Sequence, residues 1–205
     1  MRHAIFPDVG VVSLLGVTRD GAAAELALIG DEGFVGAPIL LPPNTAPFQI
    51  LVQLSVDGHR VRADVLRAEF RRDTSVQDAV LLHLHTLLVQ VTQSNVCNRY
   101  HTVRQRLCRW LLMTHDRVRS NTLPLTQEFL GYILGATRKR VSHAATQLQD
   151  VGAIRQRHGQ ITIVDRRGLE QRACECYAVV RGDRDDLHPP HTRIASVAPA
   201  RSAVR

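Results

Sequence analysis

Residues 126–148 constrain the possible folds of this chain more than any other stretch, because they read as two short helices joined by a glycine. Thr126 is positioned to cap the first helix, whose apolar residues recur at helical spacing. Gly135 ends that helix, since glycine adopts the left-handed conformation at little cost. Thr137 can cap the second helix, which again has one apolar face. The stretch therefore predicts a helix-turn-helix.

The other face of the second predicted helix is polar and cationic. Its side chains are Arg138, Lys139, Ser142, His143 and Thr146. Such side chains on a recognition helix reach base edges and phosphates in the major groove of DNA. An ordinary helical hairpin with solvated charges would show the same pattern, so this stretch alone leaves both interpretations open.

A short hairpin is predicted directly after the two helices. Residues 153–157 and 160–164 have the composition of strands, and the His-Gly pair at 158–159 supplies the turn. A helix-turn-helix followed by such a hairpin is winged. Arg155 and Arg157 would lie on this wing, where they either contact phosphate or form a solvated hairpin edge.

Charge is unevenly distributed along the 205 residues. Residues 1–95 hold 7 arginines and 10 acidic residues, whereas residues 96–205 hold 18 arginines, 1 lysine and 9 acidic residues, so the halves carry −3 and +10. The basic half favours a polyanionic partner. Only 4% of residues are aromatic, which disfavours RNA stacking, and no apolar run is long enough to span a membrane. We expect double-stranded DNA as partner, no membrane and, without a secretory signal, a cytoplasmic location.

Residues 9–66 show the alternation and the turn residues of a β-structure, which suggests part of a barrel or roll. The candidate strands are Val11–Val17, Glu25–Ile29, Phe48–Leu54 and Arg60–Leu66. Glycine- and proline-containing turns separate them, including one at Asp57-Gly58. The overall expectation is an α+β fold.

A long helix is predicted from about Ser75 to Asn98. Its apolar residues Val80, Leu84, Leu87 and Val91 are spaced as in a coiled-coil seam, which favours dimerisation. The alternative is that these residues pack on the β-structure of the same chain.

Further helices are predicted at about 101–117 and 169–180. In the first, Val103, Leu107, Trp110 and Leu111 form one apolar stripe, so Trp110 is expected in the core. Residues 181–205 are rich in Arg, Asp, Pro and Ser and have little to bury, so we predict a disordered tail.

The four cysteines show no secreted disulfide spacing, which favours a reducing compartment. Cys97 and His101 are four residues apart on one helix and could share a ligand, but Cys174 and Cys176 are expected to point in divergent directions. We therefore predict buried thiols and no metal site. The histidines are scattered and no nucleotide-binding or zinc-protease motif is present, so no catalytic residue and no enzymatic activity are predicted.

The order of predicted parts closely resembles that of the Crp/Fnr superfamily of bacterial transcription regulators, over roughly residues 5–180. The motifs that carry the resemblance are LTQE from Leu125, LGATRKRVS from Leu134, CNRYH from Cys97, RLCRWLLMTHDR from Arg106 and CECY from Cys174. Three of these, CNRYH, RLCRWLLMTHDR and CECY, resemble one subgroup of the superfamily, whose ligand is unknown.

The resemblance implies a partial cyclic-nucleotide-binding-like β-roll, a long dimerisation helix and a C-terminal winged helix-turn-helix. It divides the chain into a truncated β-roll sensor domain at 1–72, a dimerisation or linker helix at 73–100, a DNA-binding domain at 101–180 and the tail at 181–205. It also implies a homodimeric regulator on a roughly palindromic operator, with RNA polymerase as a candidate partner. The alternative is a dimeric interaction protein with a degenerate sensor and no regulated DNA binding.

The family's base-reading positions fall on Arg138, Lys139 and His143, with Ser142 on the same helix face. The best-known members commonly carry Glu and Arg where this chain has Lys139 and His143, so their operator sequence should not be transferred. Arg138 is the best candidate for a bidentate guanine contact. The remaining DNA-binding candidates are phosphate contacts or caps at helix starts, Thr126, Gln127 and Thr137, and the wing residues Arg155 and Arg157.

The effector of this chain is not predicted, and two departures from the family bear on it. Relatives that bind cyclic nucleotides use an arginine beside a glutamate, but no Arg or Lys lies between Arg19 and Arg60, and only Glu32 could mimic the glutamate. We therefore predict no cofactor and no tight cyclic-AMP binding. The N-terminus is short relative to the family, which suggests a misassigned start codon or a degenerate sensor.

Overall fold

A computed structural model describes residues 1–43, 45–118 and 120–187, with side chains described to residue 185. The N-terminal half contains β1 (His3–Val17), β2 (Ala23–Ile29), a 3-10 turn (Ala37–Ile39), β3 (Gln49–Arg62), α1 (Ala63–Arg72) and α2 (Thr74–Tyr100). The C-terminal half contains α3 (Val103–His115), β4 (Thr122–Leu123), α4 (Gln127–Leu134), α5 (Arg138–Asp150), β5 (Ile154–Arg157), β6 (Gln160–Ile163), α6 (Arg166–Arg172) and α7 (Glu175–Leu187).

The first sheet is antiparallel with strand order β2-β1-β3, which confirms the predicted α+β fold with a roll-like sheet. Two details of the prediction are wrong. The strand expected at 60–66 ends at Arg62, where α1 begins. The turn expected at Asp57-Gly58 is part of β3, because Gly58 lies opposite Pro7 and a side chain there would collide with the Phe6 carbonyl.

Helix α2 packs along the first sheet. The Gln90 side chain bonds both backbone groups of Leu28, with Leu28 N to Gln90 Oε1 at 3.0 Å and Gln90 Nε2 to Leu28 O at 3.1 Å, so it covers the outer edge of β2.

The predicted seam on α2 is only partly available to another chain. Val80, Leu84 and Leu87 pack against the sheet side of the same chain, as the alternative interpretation held. Val91 of the predicted seam is exposed, as are Leu81, Leu88, Val96 and Tyr100 outside it. Leu81, Leu88 and Val91 are spaced seven and three residues apart, so an apolar stripe remains exposed on α2 that shares only Val91 with the predicted one.

Trp110 is 1% exposed, as predicted, and belongs to a core that the C-terminal half shares with the first sheet, since Val11, Leu15 and Leu28 are part of the same buried cluster. Strands β4, β6 and β5 form a second antiparallel sheet in that order. Arg106 of α3 donates to the carbonyl of Leu134, the last residue of α4. This bond satisfies an otherwise free carbonyl at the helix end and holds α4 on α3.

The end of the described chain differs from the prediction. The helix expected at 169–180 is two helices, α6 and α7, and α7 continues to Leu187 where a disordered tail was expected from residue 181. The predicted tail is wrong for this segment because its side chains have partners: Asp183 Oδ1 lies 3.0 Å from His85 Nε2 of α2. The rest of that tail, 188–205, lies outside the described residues.

The described helices include none that is both long enough and apolar enough to cross a membrane.

A buried ion pair joins the two halves of the molecule. Glu32 Oε1 accepts from Arg117 Nε at 2.8 Å and lies 2.7 Å from Arg117 Nη2, and both side chains are at most 7% exposed. Burial opposes ionisation of Glu32, but the Arg117 guanidinium outweighs it and holds the pKa of this carboxyl below its usual value. The suggestion that Glu32 mimics a ribose-binding glutamate is therefore corrected, because the Glu32 carboxylate already forms an ion pair with Arg117.

A second buried carboxyl, Glu25 of β2, behaves oppositely. Its Oε2 accepts from Ser13 Oγ at 2.7 Å and from Gln53 Nε2 at 2.8 Å. Burial raises its pKa to about 7, although the Ser13 hydrogen bond works against the rise.

We expect Glu25 to make the chain less stable as pH rises from 4.5, the ordinary pKa of a glutamate, towards 7, because the folded chain holds a proton there that the unfolded chain releases. The penalty above pH 7 is about 3 kcal/mol, at about 1.4 kcal/mol per unit of pKa shift. Glu25→Gln should therefore gain free energy of unfolding relative to the wild type at pH 8 but not at pH 4.5. Denaturant unfolding of both chains measures this, and an unchanged difference at the two pH values would contradict it.

Candidate nucleic-acid interface

Both helices of the predicted helix-turn-helix are present and capped by the residues expected to cap them. Thr126 Oγ1 accepts from Phe129 N at 3.1 Å, and Thr137 Oγ1 accepts from Arg140 N at 3.4 Å. Gly135 between them has φ 55° and ψ 43°, the left-handed conformation that ends α4. These three positions aim the start of α5 away from the core.

The turn also depends on the small residue Gly131. A Cβ at this position would lie 2.9 Å from the carbonyl oxygen of Ala136 and 3.6 Å from the backbone nitrogen of Arg138. The absence of a side chain therefore lets the chain fold back tightly between α4 and α5.

Helix α5 divides into a buried and a polar face, as its sequence predicts. Arg138, Lys139 and His143 are exposed, and Ser142 is half-buried beside them. His143 Nε2 lies 3.1 Å from Gln147 Nε2, one turn further along the helix. The opposite face is buried in the core and consists of Val141, Ala144, Ala145 and Leu148.

The wing is the hairpin β5–β6. His158 and Gly159 both have positive φ, 48° and 74°, which are the angles of a tight two-residue hairpin turn. Arg155 and Arg157 are exposed on β5, as predicted.

Two glutamine contacts fix the wing relative to the helices. Gln127 Nε2 donates to Gln156 Oε1 at 3.1 Å, joining the start of α4 to the wing. Gln156 N donates to Gln149 Oε1 at 2.9 Å, joining the wing to the last turn of α5. The wing and both helices therefore present one continuous surface.

A groove runs between the wing and the starts of α4 and α5, and continues along the polar face of α5. Of the nine predicted DNA-binding residues, seven line it, whereas Thr137 and Arg155 do not. The lining includes Thr126, Gln127, Arg138, Lys139, Ser142, His143 and Arg157.

Sequence reasoning missed three polar side chains that line this groove, those of Glu128, Gln156 and Gln160. The two glutamines flank the predicted turn, which is the one signal that could have identified them. Glu128 lies in the first turn of α4, where its negative charge interacts favourably with the positive end of the helix dipole.

The exposed cations of this groove and of the wing beside it are free to meet an external anion. Among the described residues, Arg138, Lys139, Arg155 and Arg157 have no ion-pair partner. Exposed, unpaired cations beside two helix N-termini form a surface suited to phosphate oxygens and base edges.

A second cluster of chemically active side chains lies away from this groove. The ligand atoms of Cys97, His101, Cys174 and Cys176 all lie within 4.8 Å of one another. All four cysteines of the chain are free and buried, as expected. The expectation that Cys174 and Cys176 diverge is wrong, because Cys174 precedes α7 instead of lying on it, and its side chain turns toward that of Cys176.

Comparison with known protein families gives a match to the C-terminal half of the chain. Residues 105–172 match the Crp-like helix-turn-helix domain. A comparison with curated protein sequences gives no match.

Several solved structures share the fold at low identity. FixK2 from Bradyrhizobium japonicum has a TM-score of 0.71 at 18% identity, over 84% of this chain and 88% of that one. A CRP-family transcriptional regulator from Thermus thermophilus has a TM-score of 0.69 at 17% identity, with the same coverages of 84% and 88%. The c-di-GMP-responsive global regulator CLP of Xanthomonas campestris has a TM-score of 0.60 at 18% identity, over 79% of this chain and 84% of that one.

Proposed function

Because this chain carries a Crp-like helix-turn-helix domain on the fold of Crp/Fnr transcription regulators, we propose that it is a sequence-specific DNA-binding transcription regulator. It acts as a homodimer on a roughly palindromic operator, with the two recognition helices in successive major grooves about 34 Å apart. The observation that carries this proposal is the groove whose lining joins unpaired cations of α5 and the wing to the start of α4.

The residues of the groove divide into two roles. Arg138 reads guanine, Lys139 contacts guanine or phosphate, and His143 and Ser142 contact neighbouring base edges. A second group of residues contacts phosphates and holds the recognition helix α5 in register on the DNA. It consists of Thr126, Gln127 and Thr137 at the helix starts and of Arg155 and Arg157 on the wing.

The dimer interface lies along α2. Leu81 and Leu88 are 59% and 65% exposed, and Val91 continues the same stripe. Exposed leucines seven residues apart on one long helix fit a two-helix seam with a second copy of the chain.

The effector differs from cyclic AMP. The described residues support this, since the Glu32 carboxylate is already paired with Arg117 and no Arg or Lys occurs between Arg19 and Arg60. Calorimetry should show no micromolar affinity for cyclic AMP. The proposed partners are double-stranded DNA, a second copy and RNA polymerase, and the proposed location is the cytoplasm.

Selection from a randomised duplex library at two salt concentrations tests the proposal. An enriched two-fold-symmetric motif is the expected result, with binding that weakens steeply as salt rises because several phosphate contacts release counterions. Binding that is salt-sensitive but selects no motif would contradict sequence-specific reading by the chain alone. Absence of binding would favour the interaction protein with a degenerate sensor.

A further inference from the structure

Two segments far apart in the sequence bring four metal-binding side chains together. Cys97 and His101 lie one turn apart at the end of α2, and Cys174 and Cys176 lie at the start of α7. Cys97 Sγ is 3.4 Å from Cys174 Sγ, and Cys176 Sγ is 3.6 Å from His101 Nδ1. Each close pair therefore joins one segment to the other.

These separations suit a single tetrahedral ion. Zinc bonds of about 2.3 Å to sulfur and 2.0 Å to nitrogen place neighbouring ligand atoms about 3.5 to 3.8 Å apart. The observed 3.4 and 3.6 Å, with all four ligand atoms within 4.8 Å, are close to such edges. An iron-sulfur cluster has several metal atoms between its ligands and needs a wider cage. Three thiolates and an imidazole also favour zinc over magnesium, calcium or manganese, which prefer oxygen ligands.

The surroundings complete such a site. His101 Nε2 lies 3.2 Å from Glu175 Oε1, so the carboxylate can hold the proton on Nε2 and leave the Nδ1 lone pair for the metal. Buried Arg109 interacts electrostatically with all three cysteines. Three thiolates, one divalent ion and one guanidinium have no net charge, which suits a buried position.

We propose that Cys97, His101, Cys174 and Cys176 bind one zinc ion that fastens the end of the long helix α2 to α7 of the DNA-binding half. All four positions are filled by protein, as in structural zinc sites, so the ion stabilises the joint and performs no catalysis. The site joins α2, the proposed dimerisation helix, to the half of the chain that carries the helix-turn-helix, so the ion sets the relative position of these two parts. This site does not depend on DNA binding for its existence.

Metal analysis of the purified full-length chain tests the proposal. We expect one zinc per chain by mass spectrometry, retained during gel filtration. Cys176→Ser should lose the stoichiometric metal, whereas Cys108→Ser should keep it, because Cys108 is equally buried but lies outside the cluster. Glu175→Gln should weaken zinc affinity about 10- to 100-fold in competition with a chelator, as for other carboxylates behind a histidine ligand.

A measurement on the wild-type chain protects the test against variants that fail to fold. Replacement of zinc by Co²⁺ should give intense thiolate-to-cobalt absorption and the visible bands of a tetrahedral site. A wild-type chain without stoichiometric metal that also gives no such bands would overturn the proposal, as would full retention of zinc in Cys176→Ser. A Cys97–Cys174 disulfide in place of metal, detected as a 2 Da mass loss, or bound iron with acid-labile sulfide would overturn it too.

Discussion

Glu32→Gln should lower the free energy of unfolding by about 3 to 5 kcal/mol, because it leaves the Arg117 guanidinium buried without its counter-charge. The Arg117 side chain is only 1% exposed, so solvent cannot replace the lost carboxylate, and the hydrogen bond from its Nη1 to Met113 O at 2.8 Å is too little to compensate. Denaturant unfolding at neutral pH measures the loss.

The matched control is Glu69→Gln. Glu69 also pairs with an arginine, Arg72, but this pair lies in solvent with side chains 40% and 74% exposed, so its removal should have a much smaller effect. Replacing both buried partners, in Glu32→Leu with Arg117→Met, should recover most of the stability. Equal losses from the two glutamate variants would refute a special role for the buried pair.

Arg138→Ala should weaken binding to the selected operator by about 1 to 3 kcal/mol, or roughly 5- to 150-fold, and relax the preference at one base position. Arg155→Ala should weaken binding by a similar factor on every duplex, whatever its sequence, because a phosphate contact carries no sequence information. Titrations of the selected site, a one-base variant and an unrelated duplex separate the two effects.

Arg71→Ala is the matched control for both substitutions, since Arg71 is an exposed arginine on α1, outside the C-terminal half. It should leave both operator affinity and base preference unchanged. Arg138→Ala could instead reduce affinity by the same factor on the selected site, the one-base variant and the unrelated duplex, as is expected of Arg155→Ala. The division between base reading and phosphate contact would then be wrong.

The surface formed by α4, α5 and the wing was the part of the molecule that sequence reasoning predicted best, because the interactions that shape it are local. Thr126, Gly135 and Thr137 act on helix ends within a few residues of themselves, and periodicity predicts the buried face of α5. The wing could be predicted for the same reason, since the register of a hairpin depends on the two residues of its turn. Where helical spacing was applied to α2, it found an apolar stripe but did not distinguish packing on the same chain from packing on another.

Two of the errors concern features that depend on contacts distant in sequence. Asp57-Gly58 has the composition of a turn, but its position opposite Pro7 makes it part of a strand. Residues 181–187 have few apolar side chains, yet the contact between Asp183 and His85 shows them docked on α2.

The sequence by itself determined the class of the molecule, its helix-turn-helix with a wing, and the face of α5 that carries the polar side chains, because capping, turn formation and periodicity are short-range effects. Only the tertiary structure decided that Glu32 pairs with Arg117 and that Cys97 and His101 meet Cys174 and Cys176. These partners are more than 70 residues apart, and no local pattern specifies which distant side chains a packed core will bring within a few ångströms of each other.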